Sequence, residues 1–302
     1  MTNFDAELAH RLAAEAGELL LQIRDERGYA EPRALREAGA RRSHDYIVEQ
    51  LRLWRPDDAV LSEEALGARD ADEAADRLDA QRVWIVDPLD GTREYAEEGR
   101  SDWAVHVALW STEPPAEPAR RRRRTGGVEK KTGGRLAAGA IALPAQGTVL
   151  SADPAPGGAA EATPRGAQVR IAASRTRPPS FLGEVAADLG ALLVPMGSAG
   201  AKIAAVITGE VDAYVHAGGQ YEWDSAAPVA VALAQGLHAS RLDGSPLVYN
   251  RADPMLPDLV VCRPRLARSL LDAIRDRLAL DPAAGEAGGD GETGLLVTSQ
   301  AG

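Results

Sequence analysis

The chain has 302 residues, enough to bury a sizeable core as one large domain or two smaller ones. A formal net charge of −11 argues against general binding to nucleic acid or to an anionic membrane, although metal ions would still let an acidic protein hold phosphates. A single cysteine, Cys262, excludes an intrachain disulfide; no signal-like segment opens the chain and no apolar run reaches membrane-spanning length, which suits a cytoplasmic enzyme.

Residues 5–24 place Leu8, Leu12, Ala16, Leu19 and Ile23 on one stripe, which predicts an amphipathic helix. SHDYIVEQLRLW, 43–54, predicts a second helix entered at Ser43 or His44. DAVLSEE, 58–64, is a short strand ending in acid; residues 65–80 form an acidic, Ala-rich connection. RVWIVD, 82–87, is an apolar strand, and DWAVHVALW, 102–110, alternates as a half-buried strand would. The Pro, Gly and Arg run of 113–135 has no apolar periodicity and reads as a long solvated loop before strands in LAAGAIALP and GTVLSA. After a linker at 153–166 the second half alternates strand and helix: VRIAAS, PSFLGEVAADLG, ALLVPMG, SAGAKIAAVITG, VDAYVHAG, EWDSAAPVAVALAQG, DLVVCRP and PRLARSLLDAIRDRL. These patterns predict an α/β protein with halves at 1–152 and 167–280 and a disordered tail at 281–302.

The chemistry concentrates in VWIVDPLDGTREYAE, 83–97. A strand ending in Asp87 delivers a carboxylate to the sheet's carboxyl end, where α/β folds bind ligands. Pro88 forces a turn, and Asp90 arrives beside Asp87 after it. Two such carboxylates repel unless a cation or shared proton intervenes, and oxygen-only ligands point to a hard ion, most simply Mg²⁺. The Leu89 carbonyl is a further candidate ligand; Gly91 lets backbone approach closely, and Thr92 offers a hydroxyl to a water or a phosphate oxygen. The competing reading is an Asx-type turn with Asp90 as a helix cap. Glu63 and Glu64 also close a strand, and Asp224 opens an apolar helix whose N-terminus favours anions. Together these acids are what a two-metal phosphatase needs. The histidines at 10, 106, 216 and 238 are expected to stand apart from the acids as surface or packed neutral groups, and Cys262 as a core thiol.

WIVDPLDGTREY resembles the D-P-[LI]-D-G-[TS] metal motif of the inositol monophosphatase superfamily. VLSEE resembles its upstream Glu motif, and EWDSAAPVAVALAQG its downstream W-D-x-A-A motif; the likeness runs from helix 5–24 to about residue 278. The resemblance implies alternating α-β-α-β-α layers, two or three Mg²⁺ ions, hydrolysis of a small phosphate monoester and inhibition by Li⁺. It makes Glu63, Asp87, the Leu89 carbonyl, Asp90 and Asp224 the metal ligands, with Glu64 behind them. Gly91 and Thr92 would contact the substrate phosphate, and Thr92 would also position the water. A homodimer stays open.

Arg93-Glu94-Tyr95, following the motif, looks like the Lys-Glu-Phe of the 3′(2′),5′-bisphosphate nucleotidases of CysQ type, which remove the 3′-phosphate of 3′-phosphoadenosine 5′-phosphate and its sulfated form. Arg93 would meet the second phosphate, or else pair with a surface acid. GSAGAK, 197–202, resembles the G-S-x-x-x-K substrate segment, making Lys202, one of three lysines, a substrate contact. The chain departs from the pattern at REAGARRSHDYIVEQ, where relatives carry K-x-D-x-S-P-[VT]-T-x-A-D. Asp45 falls at the final Asp, able to orient Thr92 and the water, or is, like His44, a helix-entry residue. Inositol monophosphatase or fructose bisphosphatase activity is the alternative within the family, and a non-catalytic metal- or nucleotide-binding regulator the alternative outside it. A haloacid-dehalogenase-type phosphatase would space its two aspartates two apart rather than three.

Overall fold

The apolar stretch Val83–Val86 has no polar face, and a strand of that kind must be covered on both sides. A computed structural model, describing residues 4–65, 76–113, 133–152 and 168–280, shows how. Most of the acidic connection, most of the basic run, the 153–166 linker and the tail lie outside the described residues.

Helices α1 (Phe4–Arg27) and α2 (Pro32–Trp54) lead into β1 (Ala59–Ser62) and a 3₁₀ turn, Glu63–Ala65. Then come β2 (Arg82–Asp90), the one-turn helix α3 (Thr92–Tyr95), β3 (Ala104–Ser111), β4 (Arg135–Leu143) and β5 (Thr148–Ser151). The second half contributes β6 (Arg170–Ser174), α4 (Leu182–Asp188), β7 (Leu192–Met196), α5 (Ala199–Thr208) and β8 (Ala213–Tyr221). It closes with α6 (Glu222–Ala234), β9 (His238–Ser240), β10 (Met255–Cys262) and α7 (Pro264–Leu280). One sheet has the order β1-β2-β3-β4-β5, the other β7-β6-β8-β10-β9.

The period-2 alternation of each central strand sorts its side chains between two cores. Trp84, Val86, Val105, Val107 and Leu109 pack with Leu8, Leu12, Leu20, Ile47 and Leu51 of α1 and α2. Val83, Ile85, Ala104 and Ala108 turn the other way, onto Ile203, Val206, Ala227 and Val231 of α5 and α6. That middle core continues to Ala172, Tyr214, Leu259 and Val261 on the inner face of the second sheet. The outer face of that sheet is covered by α4 and α7 through Leu182, Val185, Leu266, Leu270 and Ile274. The result is the α-β-α-β-α layering expected from the sequence. Cys262 is a buried core thiol whose pKa burial pushes up to about 12.

Two local expectations are corrected. Strand 102–110 is buried on both faces, because its alternation is large against small rather than apolar against polar. The second helix begins at Pro32, eleven residues before Ser43: Leu35, Ala38, Ile47 and Leu51 make one buried stripe, with proline in the first turn. His44 and Asp45 are therefore mid-helix residues, not helix-entry residues.

Candidate metal centre

The β2–β3 ladder shifts register where the acids stand. Asp87 pairs with His106 and Asp90 with Ala104, so three steps of β2 match two of β3. Residues three apart on an uninterrupted strand face opposite ways; the extra residue turns Asp87 and Asp90 to one side. The strand does not end at Asp87 as its sequence suggested: Pro88, with no N–H to give the ladder, sits in this bulge and β2 runs on to Asp90. Ser43 Oγ of α2 donates to the Pro88 carbonyl at 2.7 Å, and Leu89 N–H donates to Asp87 Oδ1 at 3.0 Å. The Asx-type turn at Asp87 is thus real, but Asp90 does not cap the helix that follows: Gly91 takes the N-cap position with φ +79°.

A Cβ at Gly91 would stand 3.0 Å from Ser198 Cβ and 3.2 Å from Trp103 Cα. Positive φ and a backbone wall both exclude a side chain. Gly91→Ala is expected to lower stability by about 1–3 kcal/mol, read from a denaturant midpoint, and to reduce turnover by displacing Asp90.

Asp90 is held from the other half of the chain. Its Oδ2 accepts from Ser198 Oγ at 2.5 Å and from Gly200 N–H at 2.6 Å, and Ala199 N–H approaches Oδ1 at 3.3 Å. The two N–H donors are otherwise unsatisfied groups at the N-terminus of α5, and Ser198 is that helix's capping residue. Ser198 keeps φ +49°, uncommon for a residue with a side chain. Asp224 is the third residue of α6, and its Oδ2 accepts Tyr221 N–H at 2.5 Å. One carboxylate oxygen each from Asp87, Asp90 and Asp224 lies within 4.8 Å of the other two.

Burial and mutual repulsion dominate the electrostatics. Burial first, then the charges of Glu63, Asp90 and Asp224, raise the Asp87 carboxyl well above its ordinary range. Asp224 is pushed up to about 7 by burial and then by Asp90. Glu63, at the end of β1, does not join the 4.8 Å triangle and is exposed at its rim, yet protein crowds it on most sides. That crowding, with Asp224, Glu64 and Asp90, pushes it up to about 8. An all-oxygen donor set of this kind, destabilised by its own charge, fits a hard divalent cation.

The remaining candidates divide. Thr92 opens α3 next to the triad and is partly exposed. Arg93 is exposed and makes no ion pair among the described residues, so no described surface acid claims it. Lys202 is buried, with Nζ donating to the Gly197 and Ser198 carbonyls at 3.1 and 2.6 Å; burial lowers its pKa, opposed by Asp90 and other acids. Asp45 is exposed on α2, near enough for its charge to add to burial in raising Glu64.

His106 is a packed residue, as expected, but it does not stand apart from the acids. It is completely buried, with Nε2 3.4 Å from Asp90 Oδ2 and Nδ1 4.0 Å from Asp87 Oδ2. Its signal was one imidazole inside the apolar run WAVHVALW, but cross-strand register alone sets it opposite Asp87. Ser198 was also missed as a partner of Asp90; its signal was a capping residue in the GSAGAK segment.

The sequence matches the inositol monophosphatase family over residues 3–119 and 133–278. The chain belongs to that family. This inositol monophosphatase family member is 52% identical to a 3′-phosphoadenosine 5′-phosphate phosphatase of Mycobacterium leprae over 275 residues, 90% of this chain and 94% of that protein. It is 28% identical to the 3′(2′),5′-bisphosphate nucleotidase CysQ of Escherichia coli over 224 residues, 71% of this chain and 79% of that protein. Its fold matches CysQ from Bacteroides thetaiotaomicron with a TM-score of 0.64 at 24% identity, covering 85% of this chain and 96% of that one. Mycobacterium tuberculosis SuhB matches with a TM-score of 0.61 at 22% identity, covering 91% and 97%. The family is metal-dependent and acts on small phosphorylated substrates, and the acid cluster supplies a place for metal. No helix among the described residues is long and apolar enough to cross a membrane.

Proposed function

We propose that the chain hydrolyses the 3′-phosphate of 3′-phosphoadenosine 5′-phosphate and of 3′-phosphoadenylyl sulfate, serving sulfur assimilation. The observation that carries this reading is 52% identity, across nine-tenths of the chain, to a phosphatase named for the first of these substrates. The three-aspartate cluster agrees with it.

Asp87, Asp90, Asp224 and Glu63, with the Leu89 carbonyl, would hold two or three Mg²⁺ ions. When bound, Mg²⁺ supplies an activated water and neutralises charge on the leaving oxygen. The protein's own part is positional. The bulge keeps Asp87 and Asp90 on one face, α5 clamps Asp90 through three donors, and the first turn of α6 orients Asp224. The Gly91 backbone would meet the substrate phosphate, and the Thr92 hydroxyl, with Asp45, would orient the water. Arg93, exposed and without an ion-pair partner among the described residues, suits the second phosphate that separates a bisphosphate nucleotide from a simple monoester. Lys202 would reach the substrate only by leaving its two carbonyls.

The test is kcat/KM with Mg²⁺ on three substrates: 3′-phosphoadenosine 5′-phosphate, inositol 1-phosphate and fructose 1,6-bisphosphate. A preference of at least tenfold for the nucleotide is expected; an equal or greater value on either of the others would overturn the assignment. Li⁺ is expected to inhibit phosphate release where the same concentration of Na⁺ does not. An identical response to both salts would count against an alkali-ion-sensitive metal site.

A further inference from the structure

Strand β3 carries one polar side chain, His106, into the layer between the two sheets, and the ring is engaged on three sides. Nδ1 lies 3.1 Å from the Trp223 carbonyl, on the residue preceding Asp224. A carbonyl only accepts, so Nδ1 carries the proton of that bond. Nε2 then faces Asp90 Oδ2 at 3.4 Å without forming a hydrogen bond, although the ring has no exposure to solvent. On the third side is Gly200, whose N–H holds Asp90; a Cβ there would fall 1.9 Å from Nε2. The imidazole therefore fills the space where β2 with its aspartates, the start of α5 and the start of α6 converge.

A buried polar atom without a partner is costly in a merely packed core, where an apolar side chain of similar volume would serve. Groups that touch metal-holding side chains commonly fix their orientation. We infer that His106 is a positioning residue of the metal centre, holding Asp90 on the first sheet and Asp224 on α6 at the separation a cation needs by bonding Trp223 and bracing Gly200. The inference rests on reading Asp87, Asp90 and Asp224 as the metal-holding set.

The experiment measures Mn²⁺ binding to metal-free protein by calorimetry, without substrate, alongside melting curves. His106→Leu fills much of the space but removes both nitrogens; His106→Asn keeps an N–H for Trp223. Mn²⁺ affinity is expected to fall roughly tenfold or more in His106→Leu and less in His106→Asn, beyond any change in metal-free Tm. Gly200→Ala leaves the histidine chemistry intact but displaces the ring, so it should lose affinity too. In a His106→Ala background, where the ring is gone, adding Gly200→Ala should cost no further affinity. Folded His106→Leu binding Mn²⁺ within twofold of the parent overturns the inference, as does Gly200→Ala with parental affinity should His106→Leu fail to fold. If the parent protein itself takes up no Mn²⁺, the metal-centre reading falls and this inference falls with it.

Discussion

Asp87→Asn is expected to reduce turnover by roughly 10² or more while leaving the metal-free protein as stable as the parent, or more so. The amide keeps an oxygen to accept the Leu89 N–H now bonded to Oδ1. It also removes a charge from a site where Glu63, Asp90 and Asp224 already oppose ionisation. Asp90→Asn provides the contrast. Its rate loss should be as large, but Oδ2 accepts from Ser198 Oγ and Gly200 N–H while Ala199 N–H approaches Oδ1, and an amide can accept at only one end. One α5 donor is then left facing an NH₂ group, a loss of about 1–3 kcal/mol. Paired melts and rates on the two variants separate the roles: if both aspartates hold metal, both variants lose rate, while only Asp90→Asn also loses stability, because Asp90 bonds the second half of the chain. Near-parental turnover of Asp87→Asn with an unchanged Mg²⁺ requirement would show that the bulge is only a turn.

Removing divalent metal is expected to abolish turnover, with Mg²⁺ restoring it and Ca²⁺, larger and less strict in geometry, restoring it poorly. Full activity in excess chelator would end the metal-dependent reading. The effect on stability should depend on pH, with a definite sign. Asp87 is raised well above its ordinary range, Asp224 to about 7 and Glu63 to about 8. Above the unfolded carboxylate range near 4, the metal-free native state therefore binds more protons than the unfolded chain, and stability falls as pH rises. The fall is complete once pH passes the folded values. Mg²⁺ needs the ionised carboxylates, so its stabilising effect should run the other way and grow with pH. Metal-free Tm is expected to drop between pH 5 and pH 8.5, and the rise in Tm from added Mg²⁺ to widen across the same window. A rise in Tm from Mg²⁺ that is constant with pH would mean that the raised carboxyls are not the groups that bind it.

Sequence alone determined what depends on neighbours along the chain. The all-apolar run before Asp87 requires a strand covered on both sides, and Pro88 requires a break in its ladder. The order of the longer helices and strands, though not the one-turn α3 or the short β9, and the candidacy of Asp87, Asp90, Asp224 and Glu63 follow from periodicity and spacing. Tertiary structure decided what depends on residues far away in sequence. Asp87 and Asp90 share a face only because β2 has one residue more than β3 between their pairings, a register that no local period records. Ser43 looks like a helix cap in sequence, but its hydroxyl goes to the Pro88 carbonyl, forty-five residues on, and the helix runs through it. Arg93 follows the DPLDGT motif and Lys202 closes the GSAGAK segment; packing buries the lysine against backbone carbonyls and leaves the arginine exposed. His106 stood in an apolar strand with nothing nearby to mark it. Its meaning came from Asp90, Gly200 and Trp223, three segments that meet only when the two sheets close on α5 and α6.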